Sequence, residues 1–227
     1  MAFVTKKLEE FPGFGIYYDP NVKPFFKSNL LEDLRQLASK PLGRDLLNRI
    51  ANAKPKKRSV SSTLLKELQA IKFPSRVNVM CMPTSMDFVQ SGNKKDIAVV
   101  SGQVVPVLLK STKDPHNPAN CRFYGSGGSF AEAADPAFSG SNKGGTVSIM
   151  HYTNAQTFSQ GSGEREHTWP FIVLAHELIH SLHHLLGSRN EQGEEEDWTT
   201  GIGKFLDEPL SENKMRDAFG LPRRKGY

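Results

Sequence analysis

Cysteine is scarce in this chain of 227 residues, and long hydrophobic runs are missing. Only Cys81 and Cys121 occur, which argues against a disulfide framework, and we expect both to be buried free thiols. No apolar stretch approaches the roughly 18 residues of a membrane span, so we expect no membrane partner. Residues 1–10 are mixed and charged, so they do not form a signal-peptide pattern.

Positive charge is in modest excess, with a formal net charge of +5. Lys54, Lys56, Lys57 and Arg58 form a basic run around Pro55. Such a run can bind nucleic acid or direct nuclear import, but it is more often a solvated linker. No aromatic residues interleave with it and no recognition-helix pattern accompanies it. We therefore expect no nucleic-acid partner.

The most informative pattern is an H-E-x-x-H motif inside an apolar run, His176-Glu177-Leu178-Ile179-His180. On a helix, two histidines four residues apart stand on one face and are close enough to bind one metal ion. Glu177 then projects beside the metal, where it can deprotonate a water molecule. Coincidence on a surface helix is a weaker explanation, because buried polar groups need partners and a metal provides one. The motif predicts zinc-dependent hydrolysis, most often of a peptide bond.

The flanking residues predict where this helix begins and ends. Thr168 is a suitable N-cap, Pro170 falls in the first turn, and Gly187 suits the position after the last turn.

Two histidines leave the site incomplete, because a catalytic zinc usually has three protein ligands and one open position. Leu186 stands where the metzincin extension places its third histidine, so that class is excluded. His184 lies roughly 12 Å along the helix axis from His176, which is too far for the two to share one metal ion. His183 lies one turn beyond His180 and is poorly placed for the same reason. We expect these two histidines on a polar helix face or in hydrogen bonds to the ligands.

An acidic cluster after the helix offers the missing carboxylate. Its members are Glu191, Glu194, Glu195, Glu196 and Asp197. A charge run is usually a solvated loop, but a short connection after Gly187 can bring this one back beside the metal. Spacing alone does not separate Glu195 from Glu196.

The remaining periodicity predicts an α+β fold, in which a small mixed sheet packs on several helices with the metal helix at the centre. Residues 27–53 read as one or two helices broken at Pro41 and Gly43, and residues 63–71 as a short helix. Strands are expected at residues 77–82 and 146–152, with a further pair at residues 97–100 and 104–110. We expect residues 1–25 to form a poorly ordered N-terminal segment and residues 26–227 the zinc metallopeptidase domain.

Two motifs carry a resemblance to a known family. HELIHSLHHLLG from His176 to Gly187 and EEDWTTG from Glu195 to Gly201 resemble the light chains of clostridial neurotoxins, which carry HELIH followed by E-E-x-x-T-x-G. The chain is more similar overall to the NleD-type (XopG-like) effector metallopeptidases, small single-domain zinc proteases that bacteria deliver into host cells by type III secretion. The matched segments lie within residues 146–227 and include the usual terminus of that family, GLPRRKGY.

This resemblance implies a zincin-like fold and a set of ligands. His176, His180 and Glu196 would bind one zinc ion per chain, and Glu195 would support a histidine ligand from outside the metal's own coordination. The gap from His180 to Glu196 is much shorter than in the toxins. Their substrate-binding surface therefore does not transfer to this chain.

The resemblance also implies roles near the C-terminus and outside the metal helix. Arg224 and Tyr227 match the toxins' R-x-x-Y pair, which faces the developing oxyanion. In zinc peptidases of this architecture an edge strand pairs with the substrate, and residues 146–152 are expected to take that place.

The biological role that follows is that of a monomeric type III effector. It would be secreted into the host cell cytoplasm, with residues 1–25 as the candidate secretion signal, and would cleave a host intracellular protein. The activation loop of a MAP kinase is the leading hypothesis for the substrate. The alternative is a catalytically inactive binding protein that contains zinc, but Glu177 argues against it because a structural site needs no base.

Overall fold

The computed structural model describes most of the chain outside residues 84–128. The described residues are 4–21, 23–62, 64, 66–69, 71–83, 99–100, 103–104, 129–140, 142–152, 157–161, 164–190 and 194–226. Cys121, Glu191 and Tyr227 lie outside them.

A five-stranded mixed sheet forms the centre of the molecule. Its strands are β1 (Val4–Lys7), β2 (Phe14–Tyr18), β3 (Val79–Pro83), β6 (Phe130–Ala133) and β7 (Ser148–Tyr152). They lie in the order β1-β2-β3-β7-β6. The inner pairs β2–β3 and β3–β7 are parallel, whereas the outer pairs β1–β2 and β6–β7 are antiparallel. This architecture confirms the predicted α+β class with a small mixed sheet.

The remaining elements are helices and short hairpins. The helices are α1 (Phe26–Ala38), α2 (Pro41–Asn52), α3 (Lys66–Gln69), α4 (Pro170–Leu186), α5 (Glu195–Thr200) and α6 (Glu212–Ala218). The hairpins pair β4 (Val99–Val100) with β5 (Gln103–Val104), and β8 (Thr157–Gly161) with β9 (Glu164–Thr168). None of the helices in the described parts of the chain has the length and apolar character to span a bilayer.

The first two helices follow the predicted periodicity. Leu30, Leu34 and Leu37 are completely buried on one face of α1. The break between the helices falls just before Pro41, which cannot donate a helical hydrogen bond and suits the first turn of α2. Gly43 was also predicted to break the helix, but it lies inside α2. A glycine is needed at this position because a Cβ there would come within 2.0 Å of the carbonyl oxygen of Leu37.

The long helix α4 lies at the core of the molecule. Its residues from Phe171 to Leu185 are all buried, and it packs against α1, α2, α6, β6 and β7. Apolar residues are in the majority in this helix, which favours its burial in the core. Pro170 and Gly187 take the predicted places at its ends, and Gly187 adopts a left-handed conformation with φ of 65°. The N-cap is Trp169 rather than Thr168, because Thr168 is the last residue of β9.

The first strands correct the prediction for the N-terminal segment. Within residues 1–25, predicted to be poorly ordered, β1 and β2 are part of the central sheet. Phe14 and Ile16 are 1% exposed and belong to the main core. The prediction is wrong for these two strands. The alternation of side chains in β1 and β2 is short and includes Gly15. It is therefore too weak a pattern for these strands to be recognised from the sequence without the rest of the sheet.

Strand β7 corrects a second prediction. It was expected at the edge of the sheet, but it lies between β3 and β6 and all five of its residues are buried. The parallel pairing with β3 explains the position, because parallel strands are usually covered on both faces. The edge next to it is formed by β6.

The basic run is also less solvated than a linker would be. Arg58 donates hydrogen bonds to Asn78 Oδ1, at 2.9 Å, and to the carbonyl oxygen of Val77. Lys57 forms an ion pair with Asp135 at 3.7 Å. Two of the four basic side chains therefore hold this segment to the sheet.

Candidate active site

Helices α4 and α5 bring three potential ligand atoms together. His176 Nε2 and His180 Nε2 are 3.1 Å apart. Glu196 Oε2 lies 3.2 Å from His176 Nε2 and 3.3 Å from His180 Nε2. The histidines meet because they are one helical turn apart, and Glu196 reaches them from the first turn of α5.

Each histidine is oriented by a carboxylate at its other ring nitrogen. His176 Nδ1 donates to Glu212 Oε2 at 2.8 Å, and His180 Nδ1 donates to Glu195 Oε1 at 3.0 Å. These hydrogen bonds put the protons on the Nδ1 atoms. With a metal ion bound, both Nε2 lone pairs would thereby be directed at the same point as the Glu196 carboxylate.

This donor set fits zinc. Three ligands of a tetrahedral zinc with bonds of about 2.0–2.1 Å lie about 3.3 Å from one another, close to the observed separations. Two imidazoles and a carboxylate are also ligand types that zinc accepts. The cluster strongly favours a positive charge: burial opposes a charge on His180, but hydrogen bonds to Glu195 and Glu196 raise its pKa to about 10. Burial raises the pKa of Glu196, but the hydrogen bonds with His176 and His180 more than offset it and lower that pKa.

Glu195 is the centre of a second hydrogen-bond network. Its Oε1 accepts from His180 Nδ1 and from His183 Nδ1, the latter at 2.6 Å, and its Oε2 accepts the backbone N–H of Asn190 at 2.8 Å. His183 also stacks on Trp198, with ring centroids 3.8 Å apart. A second group of potential ligand atoms is close enough together to hold a metal ion, and it belongs to His180, His183 and Glu195. In this group the Nδ1 atoms of both histidines are already hydrogen-bonded to the Glu195 carboxylate.

His183 and His184 lie in separate environments, and neither contributes to the triangle of ligand atoms. His184 Nδ1 is 3.3 Å from Ser148 Oγ in β7, and burial lowers the pKa of His184 to about 3. Both rings are buried, so the polar-face prediction is wrong for them. The hydrogen-bonding alternative agrees with the contact between His183 and Glu195.

Glu212 is the site residue that the sequence reasoning missed. It is 1% exposed, and beyond His176 it accepts from Arg216 Nε at 2.7 Å and from Arg224 Nη1 at 3.3 Å. Hydrogen bonds and charge from His176 and the two arginines overcome burial and lower its pKa to about 2. No local signal marks this residue, because it lies 36 residues from its histidine partner.

Glu177 is buried next to the first histidine, with 1% of its surface exposed. Its Oε1 has no hydrogen-bond partner within the part of the chain that the structure describes. Burial raises the pKa of this carboxyl group to about 7, although the neighbouring histidines lower it in part. A buried carboxyl group with an unused oxygen and a near-neutral pKa is suited to accepting and returning a proton.

Arg224 enters the site from the C-terminal segment. It is 6% exposed, and besides its contact with Glu212, its Nε donates to the carbonyl oxygen of Gly226 at 3.0 Å. Asn213 holds the backbone of Arg224 through hydrogen bonds at both its N–H and its carbonyl. The C-terminal segment is thus anchored to α6 up to the residue that contacts Glu212.

Comparison with known families identifies the chain. The sequence profile of the M91 peptidase family, described as effector protein, matches residues 17–227. The chain belongs to the M91 peptidase family. This membership confirms the resemblance to bacterial effector metallopeptidases that the motifs indicated. The match also covers most of the N-terminal half of the chain, where no motif was recognised. No curated protein matches the sequence significantly.

Solved structures similar to this M91 member are neurotoxin light chains. The catalytic domain of Clostridium botulinum neurotoxin serotype F is 18% identical with a TM-score of 0.49, and the match covers 91% of this chain and 58% of that one. Botulinum neurotoxin type D light chain is 17% identical with a TM-score of 0.46, covering 92% and 59%. The chain therefore spans less than two thirds of the length of these structures.

Proposed function

We propose that this chain is a zinc-dependent endopeptidase, secreted as an effector and acting on a protein inside the host cell. The observation that carries the proposal is the triangle of His176 Nε2, His180 Nε2 and Glu196 Oε2 with Glu177 beside it. Membership of a peptidase family described as effector protein supports both the reaction and the setting. A structural zinc site would have no use for a buried carboxyl group such as that of Glu177.

The proposed roles follow from the contacts of each side chain. His176, His180 and Glu196 hold one zinc ion, which when bound supplies the Lewis acidity that activates water and polarises a carbonyl. Glu177 takes the proton of the attacking water on its unpartnered Oε1 and passes it to the leaving amine. Glu195 keeps the ring of His180 in place, and such an outer carboxylate fixes both tautomer and orientation.

Arg224 and Tyr227 are proposed to stabilise the oxyanion of the tetrahedral intermediate. The support for Arg224 is its position: Glu212 contacts both the Arg224 guanidinium and the ring of the ligand His176. Tyr227 lies three residues further along, and its role rests on the R-x-x-Y motif alone.

The substrate is proposed to be a host protein with an exposed, extended segment, and a MAP kinase activation loop is the leading hypothesis. We also propose that the enzyme acts as a monomer in the host cytoplasm. The shorter connection between His180 and Glu196 than in the toxins means that substrate recognition has to be built from this chain's own residues.

The test is a comparison of host-cell lysate treated with the full-length protein and with its Glu177→Ala variant, both loaded with zinc. New peptide termini are identified by mass spectrometry, and Glu9→Gln, an exposed carboxylate change near β1, serves as the matched control. We expect discrete new termini with wild-type protein and Glu9→Gln, and none with Glu177→Ala. Equal sets of termini from wild type and Glu177→Ala would overturn the proposal and leave the inactive zinc-containing binding protein.

A further inference from the structure

The outer edge of the central sheet is formed by β6. On one side β6 pairs with β7 over its whole length, from Phe130 opposite His151 to Ala133 opposite Ser148. On the other side β6 has no strand partner within the described residues. The unused backbone groups of such an edge are a template for an added strand.

A cavity of about 330 Å³ lies along this edge. It is bounded by β6 and the turn after it, by residues that follow the basic run, and by residues at and just beyond the C-terminal end of α4. These residues are Leu64, Leu68, Ala131, Glu132, Ala133, Pro136, His184 and Arg189. The two alanines are small enough to let another backbone approach. Because His184 is part of the metal helix, the cavity joins the edge of the sheet to the helix that carries the candidate zinc ligands.

Glu132 is the polar side chain that β6 contributes to this cavity. Its strand partner is Ile149, which packs in the second core cluster with Leu68, so Glu132 lies on the face of the sheet away from α4. By contrast, Ala133 is paired with Ser148, whose hydroxyl group contacts Ser181 of α4. The outer edge therefore offers two different faces to an added strand.

Within the part of the chain that the structure describes, no cation pairs with the Glu132 carboxylate. It is half-buried, and among the described residues it forms no ion pair and no side-chain hydrogen bond. Burial alone raises the pKa of this carboxyl group. Arg189, the cation bounding the same cavity, is exposed. A partly desolvated carboxylate of this kind gains most from a cationic partner that arrives with a ligand.

The family resemblance already implies that the substrate pairs with an edge strand, and β6 is the outer strand on this side of the described sheet. We propose that Glu132 selects a lysine or arginine side chain in a substrate strand added at this edge. This inference rests on the proposed function and narrows its substrate to extended segments that carry a basic residue. In an added strand the residue opposite Glu132 points to the same face of the sheet. Its two neighbours point to the other face, towards α4.

The binding test uses two fluorescein-labelled peptides, one of alternating threonine and lysine and one of alternating threonine and glutamate. Fluorescence anisotropy is measured with the zinc-loaded full chain carrying Glu177→Gln, so that the peptides stay intact. The net charge of +5 favours the glutamate peptide, so a preference for lysine has to come from a local site. We expect the lysine peptide to bind roughly tenfold more tightly, as for one charge-assisted hydrogen bond.

Matched variants locate the preference. Glu132→Gln is expected to abolish it and Glu132→Lys to reverse it, whereas Glu9→Gln, near the opposite edge strand β1, leaves it unchanged. Equal binding of both peptides to the parent protein, or an unchanged preference in Glu132→Gln, would overturn the inference.

A second measurement separates this inference from the proposed function. A library of peptides from a digested proteome is incubated with wild type and Glu132→Gln, and the cleaved termini are sequenced. Enrichment of lysine or arginine at one position near the cleavage site, lost in Glu132→Gln, supports the inference. Cleavage without such enrichment overturns it and leaves the peptidase intact. A lysine preference in binding without cleavage supports the Glu132 site and refutes the proposed function.

Discussion

Glu194, Glu195 and Glu196 are consecutive in the sequence, but their carboxylates have different partners. Glu194 is partly exposed and forms an ion pair with Lys204 at 2.6 Å. Glu195 accepts hydrogen bonds from two histidines, whereas Glu196 lies beside their Nε2 atoms. Local geometry causes the difference. Glu194 precedes α5 as its N-cap, whereas Glu195 and Glu196 begin the helix, in which successive residues point in directions about 100° apart.

Substitution of these three residues is expected to weaken zinc binding to different extents. Glu196→Ala removes a proposed ligand and should have the largest effect. Glu195→Ala removes a carboxylate that orients His180, a loss that typically costs 10–100-fold in affinity or activity. Glu194→Ala is the surface control and should bind zinc like wild type. Competition with a chelator measures the three affinities, and wild-type affinity in Glu196→Ala would contradict the assignment.

Glu177 should affect the reaction without affecting the metal. Glu177→Ala is expected to retain one zinc per chain, because the three proposed ligands and their outer carboxylates remain. Cleavage should be lost, since a general base typically contributes 10²–10⁴-fold to the rate. Metal analysis and a cleavage assay on the same preparation check both statements. An active variant would show that the proton is taken up elsewhere.

How much of the site the sequence predicts depends on how local each contact is. His176, Glu177 and His180 share one helical turn, so their spacing alone predicts that they lie together. Glu195 and Glu196 needed the resemblance to a family to be distinguished. Glu212 could not be found from any pattern, because α6 has to fold back against α4 before its carboxylate meets His176.

At the level of elements, the sequence predicts which segments form helices and strands better than it predicts which segments lie next to one another. Helices α1 and α2 were found because their apolar residues repeat at helical spacing over many residues, and α4 was found from its H-E-x-x-H motif and the residues that flank it. Strand β7 was recognised as a strand, but its position was wrong, because the letters SIMHY do not reveal which strands flank it. Neighbours in a sheet are set by long-range packing, which no short segment records.

The C-terminal end of α4 is fixed to the loop before β7. Gly145 adopts φ of 76°, and a Cβ there would come within 1.9 Å of the carbonyl oxygen of Leu185. The backbone N–H of Thr146 also donates to the carbonyl oxygen of His184 at 2.9 Å. This loop therefore has no space for a side chain against the helix end.

Gly145→Ala should destabilise the fold far more than Gly203→Ala. Both glycines have positive φ, which costs an alanine roughly 1–2 kcal/mol, but a Cβ at Gly203 would meet nothing within 4 Å. Gly145→Ala adds a backbone clash, so we expect its loss to exceed that of Gly203→Ala by about 2 kcal/mol or more. Urea unfolding followed by circular dichroism measures the difference. Equal losses in the two variants would mean that the loop moves away freely.

At the scale of the whole molecule, the described segments nearest to the two ends of the chain are part of the folded domain. The N-terminal strands β1 and β2 extend the sheet, and the C-terminal segment reaches Glu212 beneath the candidate zinc site. The N-terminal segment was predicted to be poorly ordered because chain ends are usually frayed. The importance of the C-terminal segment was predicted only from the R-x-x-Y motif of the family resemblance.

The C-terminal residues give a prediction at this scale. Tyr227→Phe and deletion of Tyr227 alone are each expected to lower kcat by about 10²–10³, the usual worth of one oxyanion donor. Zinc content and melting temperature should stay close to those of wild type. Arg224→Ala should lose the same rate factor and also some stability, because it removes a buried partner of Glu212. Wild-type rates in all three variants would make the terminus an ordinary tail.

The contact between Gly145 and the end of α4 has a mechanical consequence. A helix held at its carboxyl end by close backbone contact cannot slide along its axis as a piston, so the depth of His176 and His180 within the molecule is constant. Glu196 belongs to α5. Among the described residues α5 makes no backbone hydrogen bond to that loop, although Arg189 in the connection from α4 donates to the carbonyl oxygen of Ser139 at 3.1 Å. Any opening or closing of the three-atom triangle therefore has to come from displacement of α5. Hydrogen exchange with and without zinc should accordingly change in α5 and remain constant at the C-terminal turn of α4.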